Sequence, residues 1–202
     1  MASTRYALFT ATLCSGLSLL LASPLWAWDG VVEKQTFEMD SFTTHGGETI
    51  PNVTVGWEAY GELNDARDNV ILITHFFSGT SHAAGRYEVD GQPTGYWDAG
   101  PASINPDTGE PWGMDFPVVT IRDFVEVQRE LLESQGIESL HAVMGASMGA
   151  LQAIEWASAY PDRVERLISV IGGGVADPWL LATLSAWAAP IRLDANWNEG
   201  NY

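Results

Sequence analysis

A serine with glycine two residues before it and two after it, Gly145-Ala146-Ser147-Met148-Gly149, stands where the sequence changes period. Before it, residues 139–144 form a short apolar run of the kind a buried strand shows. After it, residues 148–160 read as a helix closed by Pro161. A serine on so tight a strand-to-helix turn projects its hydroxyl from the end of a sheet, and the flanking glycines keep side chains out of the neighbouring backbone. The first helical turn also leaves N–H groups without intrahelical partners, with positive potential beside the serine. The combination reads as a nucleophilic hydroxyl, Ser147, with the Met148 N–H placed to stabilise a developing oxyanion. The plainer alternative is a glycine-lined turn that only packs helix on strand.

The surrounding pattern is α/β. Residues 31–39 and 53–60 alternate apolar and polar side chains around a turn at Gly46-Gly47, as paired strands do. Residues 69–75 are continuously apolar, which suits a strand buried on both faces of a parallel sheet. Thr120 is a helix cap, followed by an apolar face of Ile121, Phe124, Val125, Leu131 and Leu132 and a stop at Gly136. A further strand is predicted over 164–171, and Asp177 caps a helix running to about Ala188. Alternating strands and helices imply right-handed crossovers and a mostly parallel sheet with helices on both faces. Residues 76–116 show neither period and form the long irregular segment that in compact domains is usually functional.

Composition excludes several classes. Nine basic against 26 acidic residues give a net charge of −17, and Lys34 is the single lysine, so phosphate neutralisation and nucleic-acid binding are not expected. A solvated acidic surface accounts for the charge. With 46% hydrophobic and 17% charged residues the chain can fill a core. Cys14 is the lone cysteine, which excludes a disulfide framework and a cysteine zinc site. No histidine pair has ligand spacing, so no metal is expected.

Residues 1–27 have the order of a secretory signal peptide: Arg5, an apolar stretch over 6–21, then Ser23-Pro24 and small residues. Cleavage is expected after Ala27, with Ala22 as the alternative. Thr10, Thr12, Ser15, Gly16 and Ser18 interrupt the stretch and make it a poor membrane span. The expected product, 28–202, is secreted or periplasmic, without stable membrane insertion.

Gly56-Trp57-Glu58-Ala59-Tyr60-Gly61-Glu62-Leu63-Asn64, His75 to Gly79, Ser103-Ile104-Asn105-Pro106, Asp115 to Asp123, Gly145 to Gly149, Glu155-Trp156-Ala157, Tyr160 to Val164 and Asn196-Trp197-Asn198 occur in one order. Together they resemble the homoserine O-acetyltransferase family of the α/β-hydrolase superfamily. The resemblance implies an acyl-accepting serine, here Ser147, a histidine base, an aspartate that orients it, and a helical lid beginning near residue 177. It also implies a second oxyanion donor from the loop after an earlier strand, here the Phe77 N–H. A small-molecule ester or acyl substrate follows, no cofactor is implied, and a homodimer is left open.

Two departures from the family pattern bear on activity. His45, His75, His82 and His141 all precede Ser147, whereas superfamily members place acid and histidine after the serine. Asp177 and Asp194 follow it but read as a helix cap and a loop charge. Asp98-Ala99-Gly100 also passes directly to Pro101, where the family has a further strand. The expected domain is therefore a partial α/β-hydrolase fold, incomplete at its C-terminus and missing one strand. The expected activity is that of an exported esterase-like hydrolase, because acetyl-CoA is a cytosolic metabolite. The alternatives are an acetyltransferase with acetyl-CoA as co-substrate and a catalytically inactive fragment. His82 and Arg86 are read as solvated loop residues, with contact to a substrate as the alternative, and His75 as an anchor for the oxyanion loop.

Overall fold

The computed structural model describes residues 31–87, 108–109 and 112–197. The expected leader at 1–27, the expected deletion at 98–101, Ser103 to Pro106 and Asn198 lie outside the described residues.

Strands β1 (Gln35–Thr43) and β2 (Thr49–Trp57) form an antiparallel hairpin closed by the Thr43 and Thr49 pair. Its loop is held by Thr44 N–H to Glu48 O (2.8 Å) and Gly47 N–H to Thr44 O (2.8 Å), with Gly47 at φ 90°. Both strands lie nearer the turn than their apolar alternation indicates, because loop geometry sets hairpin register. Val31 forms an isolated bridge to Arg86 outside the hairpin.

A separate parallel sheet has the order β3 (Ile71–Thr74), β4 (Ala142–Ala146), β5 (Leu167–Val170). Strand β4 runs two residues further than expected, into the glycine-serine motif, because Gly145 and Ala146 pair with Ser169 and Val170. Strand β5 is shorter than expected, with Val164 left in an isolated bridge to Leu140. Among the described residues β3 has one paired neighbour, and nothing hydrogen-bonds the hairpin to this sheet.

Helix α1 (Ile121–Ser134) starts in a capping box: Thr120 accepts from the Asp123 N–H, and the Asp123 carboxylate accepts from the Thr120 N–H. It ends at Gly136, φ 68°, as the sequence indicates. Helix α2 (Met148–Ala159) follows β4 directly. Val125, Leu132, Ile137, Leu140, Val143, Ala153 and Trp156 form the core between α1, α2 and one sheet face. Fully burying each larger apolar side chain stabilises the fold by about 1.5–3 kcal/mol.

Helices on both faces are not found among the described residues. Ile71, Ile73, Ile168 and Val170, which alternate away from α2, are about half exposed (52%, 53%, 44% and 48%). An apolar run signals a face suited to burial without naming its cover. Helix α3 (Pro178–Leu193), capped by Asp177 through the Leu180 N–H (2.8 Å), buries no residue. It continues past Ala188 through Pro190, which removes one ladder bond near the helix end. No helix among the described residues is long and apolar enough to cross a membrane.

Candidate active site

Ser147 occupies the corner between β4 and α2 with φ 54° and ψ −121°, a conformation a non-glycine residue adopts at a cost of about 1–3 kcal/mol. The corner is over-determined. The Ser147 N–H donates to Val170 O (3.0 Å), and its carbonyl accepts from Ala150 (2.9 Å) and Leu151 (3.3 Å). A methyl group at Gly145 would collide with the Gly149 carbonyl and the Thr74 hydroxyl, and one at Gly149 with the Thr74 carbonyl. The glycines thus allow α2 to start against β3, and the serine is left exposed. Met148 opens α2, so its N–H precedes the helical ladder and faces the serine end.

The β3 loop lies beside this corner. Thr74 pairs with Gly145 across the sheet, and the His75 carbonyl is 3.0 Å from where a Gly149 Cβ would stand. Beyond it Phe76 to Gly79 form a turn, the Gly79 N–H donating to Phe76 O (2.8 Å). The His75 ring serves as the anchor the sequence suggests: its Nδ1 sits 2.9 Å from Phe76 O and its edge meets Phe124 at 6.3 Å. Phe77, at the tip, is 85% exposed.

Among the described residues no imidazole or carboxylate meets the Ser147 hydroxyl. His45 donates its N–H to Asp123 (2.5 Å), and His141 lies among Glu165 and Arg166. His82 corrects the sequence reading: it is buried, 5% exposed, with Nδ1 3.0 Å from the Glu58 carboxylate. Tyr60 (2.7 Å) and Tyr87 (2.5 Å) donate to the same carboxylate. Burial first, and then the hydrogen bond to Glu58, raise both phenols above the usual tyrosine range. Arg86 carries the bridge to Val31 and accepts the Val32 N–H (2.9 Å) through its carbonyl. Trp112 packs edge-on against Phe116 at 5.8 Å. Asp194 sits in the turn after α3, accepting from the Asn196 N–H (2.8 Å).

Sequence reasoning missed the buried amides next to this corner. Gln152, fully buried on α2, donates to His75 O (3.2 Å), and Gln128 of α1 donates to Gln152 (2.6 Å). Their positions in otherwise ordinary helical patterns gave no signal.

A parallel β3-β4-β5 sheet with a strained serine between strand and helix defines an α/β-hydrolase elbow. The family described as alpha/beta hydrolase fold matches residues 45–202, and the chain belongs to it. It is similar to homoserine O-acetyltransferase from Methanohalobium evestigatum, 38% identical over 86% of this chain and 41% of that protein. The homoserine O-acetyltransferase of Carboxydothermus hydrogenoformans is 36% identical over 86% of this chain and 53% of its own length. Among solved structures, esterase E22 superposes with a TM-score of 0.79 at 55% identity over 85% of this chain and 56% of the esterase. Homoserine O-acetyltransferase from Bacillus anthracis gives 0.77 at 39% identity over 85% and 55%. The chain thus spans about half the length of the relatives it matches.

Proposed function

We propose that the chain carries the nucleophile and oxyanion elements of an exported serine hydrolase acting on small-molecule acyl esters. The observation that carries this reading is Ser147, exposed and held in a strained conformation at the start of α2. Its Oγ attacks the ester carbonyl carbon as the hydroxyl proton passes to a base. The Met148 N–H and the Phe77 N–H donate to the oxyanion, and collapse expels the alcohol, which takes up the proton from the base, and leaves an acyl-serine. Water then attacks the acyl carbon, releasing the carboxylic acid and returning the proton to Ser147. Without a base the hydroxyl is a weak nucleophile, and among the described residues the rings of His75, His82 and His141 are engaged elsewhere.

Two features favour water over a second substrate as acceptor. Identity is 55% with the esterase and 39% with the Bacillus acetyltransferase. The leader-like residues 1–27 direct the product away from cytosolic acetyl-CoA. The experiment is fluorophosphonate labelling of the protein and its Ser147→Ala variant, followed by hydrolysis of p-nitrophenyl acetate. Labelling that Ser147→Ala abolishes, with ester turnover, is expected. Acetylation of homoserine from acetyl-CoA reassigns the protein to the transferase reading. Absence of labelling in a folded protein leaves Ser147 inert and overturns the enzymatic reading for this chain.

A further inference from the structure

We propose that Gln152 is a positioning residue, fixing the Phe77 N–H toward the oxyanion through a one-way relay from Trp156 to Gln128 to Gln152 to the His75 carbonyl. The inference rests on the acyl-transfer reading of Ser147.

The relay has a single direction because its first member can only donate. The Trp156 indole N–H lies 2.8 Å from Gln128 Oε1, and an indole has no acceptor. The Gln128 oxygen is thereby fixed toward Trp156, and its amide nitrogen faces Gln152 Oε1 at 2.6 Å. The Gln152 amide nitrogen then faces His75 O at 3.2 Å. Turning Gln128 over would set its NH2 against the indole N–H, and turning Gln152 over would set its oxygen against the His75 carbonyl. Trp156 and Gln152 are both fully buried, so no water corrects such a mismatch.

The consequence reaches the catalytic turn through peptide geometry. In a trans peptide the C=O and N–H point in opposite directions, and the described chain has no cis bond. Gln152 draws the His75 carbonyl toward α2, which sets the plane of the 75–76 peptide. The next carbonyl, Phe76 O, is engaged by the Gly79 N–H at 2.8 Å and by His75 Nδ1 at 2.9 Å. With both carbonyls held, the Phe77 N–H points away from the interior of the turn. Among the described residues no protein acceptor takes it. Packing alone does not call for an amide at 152, since its neighbours on α2, Ala153 and Trp156, are buried as hydrophobic groups. A buried amide is tolerated only with its partners present, and here its donor is spent on the one loop that frames the serine.

The test uses Gln152→Glu, which keeps the shape but sets an oxygen against the His75 carbonyl, and Gln152→Met, which keeps the volume without polarity. Trp156→Phe removes the donor that orients the chain. For p-nitrophenyl acetate, kcat falls on the order of tenfold to a hundredfold with KM nearly unchanged, as loss of an oxyanion donor does. Affinity for a trifluoromethyl ketone, which forms a tetrahedral adduct with serine, falls in step. The Phe77 amide resonance shifts in the 15N-edited NMR spectrum of each variant. A variant that melts earlier but retains wild-type kcat and ketone affinity when folded shows a merely structural role and overturns the proposal. If the wild-type protein shows no turnover, the acyl-transfer reading fails, and an unshifted Phe77 resonance in Gln152→Glu separately overturns the relay.

Discussion

Thr74 and Gly149 meet in a double contact: the Thr74 hydroxyl donates to the Gly149 carbonyl over 2.8 Å, and the Thr74 carbonyl fills the space a Gly149 side chain would need. The hydroxyl also lies 3.1 Å from Met144 O, so one threonine ties β3 to both β4 and the first turn of α2. The corner that carries Ser147 is therefore locked from the neighbouring strand.

Gly149→Ala tests that lock. The added methyl meets the backbone of β3, which cannot yield as a flexible side chain does. A loss of roughly 1–3 kcal/mol is expected from such overpacking, with fluorophosphonate labelling of Ser147 lost. Gly47→Ala is the control: at φ 90° with nothing within 4 Å, it carries only conformational strain, about 1–2 kcal/mol, and leaves labelling intact. Equal labelling of the two folded variants would argue against the lock.

Ser147 itself is expected to be a site where stability is given up. Its φ of 54° and ψ of −121° suit glycine better than serine. Ser147→Gly therefore melts at a higher temperature than Ser147→Ala, by an amount on the order of 1 kcal/mol after glycine's larger unfolded-state entropy is counted. Both variants lose labelling. Equal melting of the two would mean that the corner holds no strain.

Much of this was legible in the sequence. Gly145 and Gly149 flank Ser147 where a short apolar run gives way to a helical pattern, and Thr120 and Asp177 cap helices as local chemistry dictates. Other features depend on partners distant in sequence. Glu58 and His82 are 24 residues apart, and neither carries a mark that the other will bury it. Gln128 and Gln152 sit on different helices and become a relay only when α1 packs on α2. The strand limits near Gly46-Gly47 moved because turn register, not apolar alternation, set them.

Asp123 links α1 to the hairpin and should shape the acid side of stability. Burial alone would raise its carboxyl. Hydrogen bonds from the Thr120 hydroxyl (2.7 Å), the Thr120 N–H (2.6 Å) and the His45 N–H (2.5 Å) outweigh burial and hold it below the usual aspartate range. A depressed folded-state pKa means that the stabilisation is fully present above the unfolded value and is lost as pH falls through the folded one. Asp123→Asn is expected to cost roughly 1.5–3 kcal/mol at neutral pH, since it weakens hydrogen bonds to a charged acceptor. The difference from wild type should narrow below about pH 4, measured by urea unfolding across pH. A gap independent of pH would remove the carboxylate from the explanation.

Glu58 governs the opposite limb. Its carboxylate, with no exposed side-chain surface, accepts from Tyr60, Tyr87 and His82. Because a carboxylate only accepts, His82 Nδ1 carries the proton of their contact, and Tyr87 lies tilted against that ring at 4.6 Å. Burial and the Glu58 charge raise the two phenols from 10.0, so their stabilisation is fully present below that value and is lost as pH rises through the folded-state values. Glu58→Gln removes the charge and leaves one oxygen for three donors. The phenols should titrate lower by near-UV absorbance, and stability at neutral pH should fall by about 1–3 kcal/mol for each donor left unsatisfied. Tyrosine titration unchanged in a folded Glu58→Gln protein would assign the shift to burial alone. In that case the carboxylate fastens the segment after the Phe76–Gly79 turn by hydrogen bonds without governing its charge.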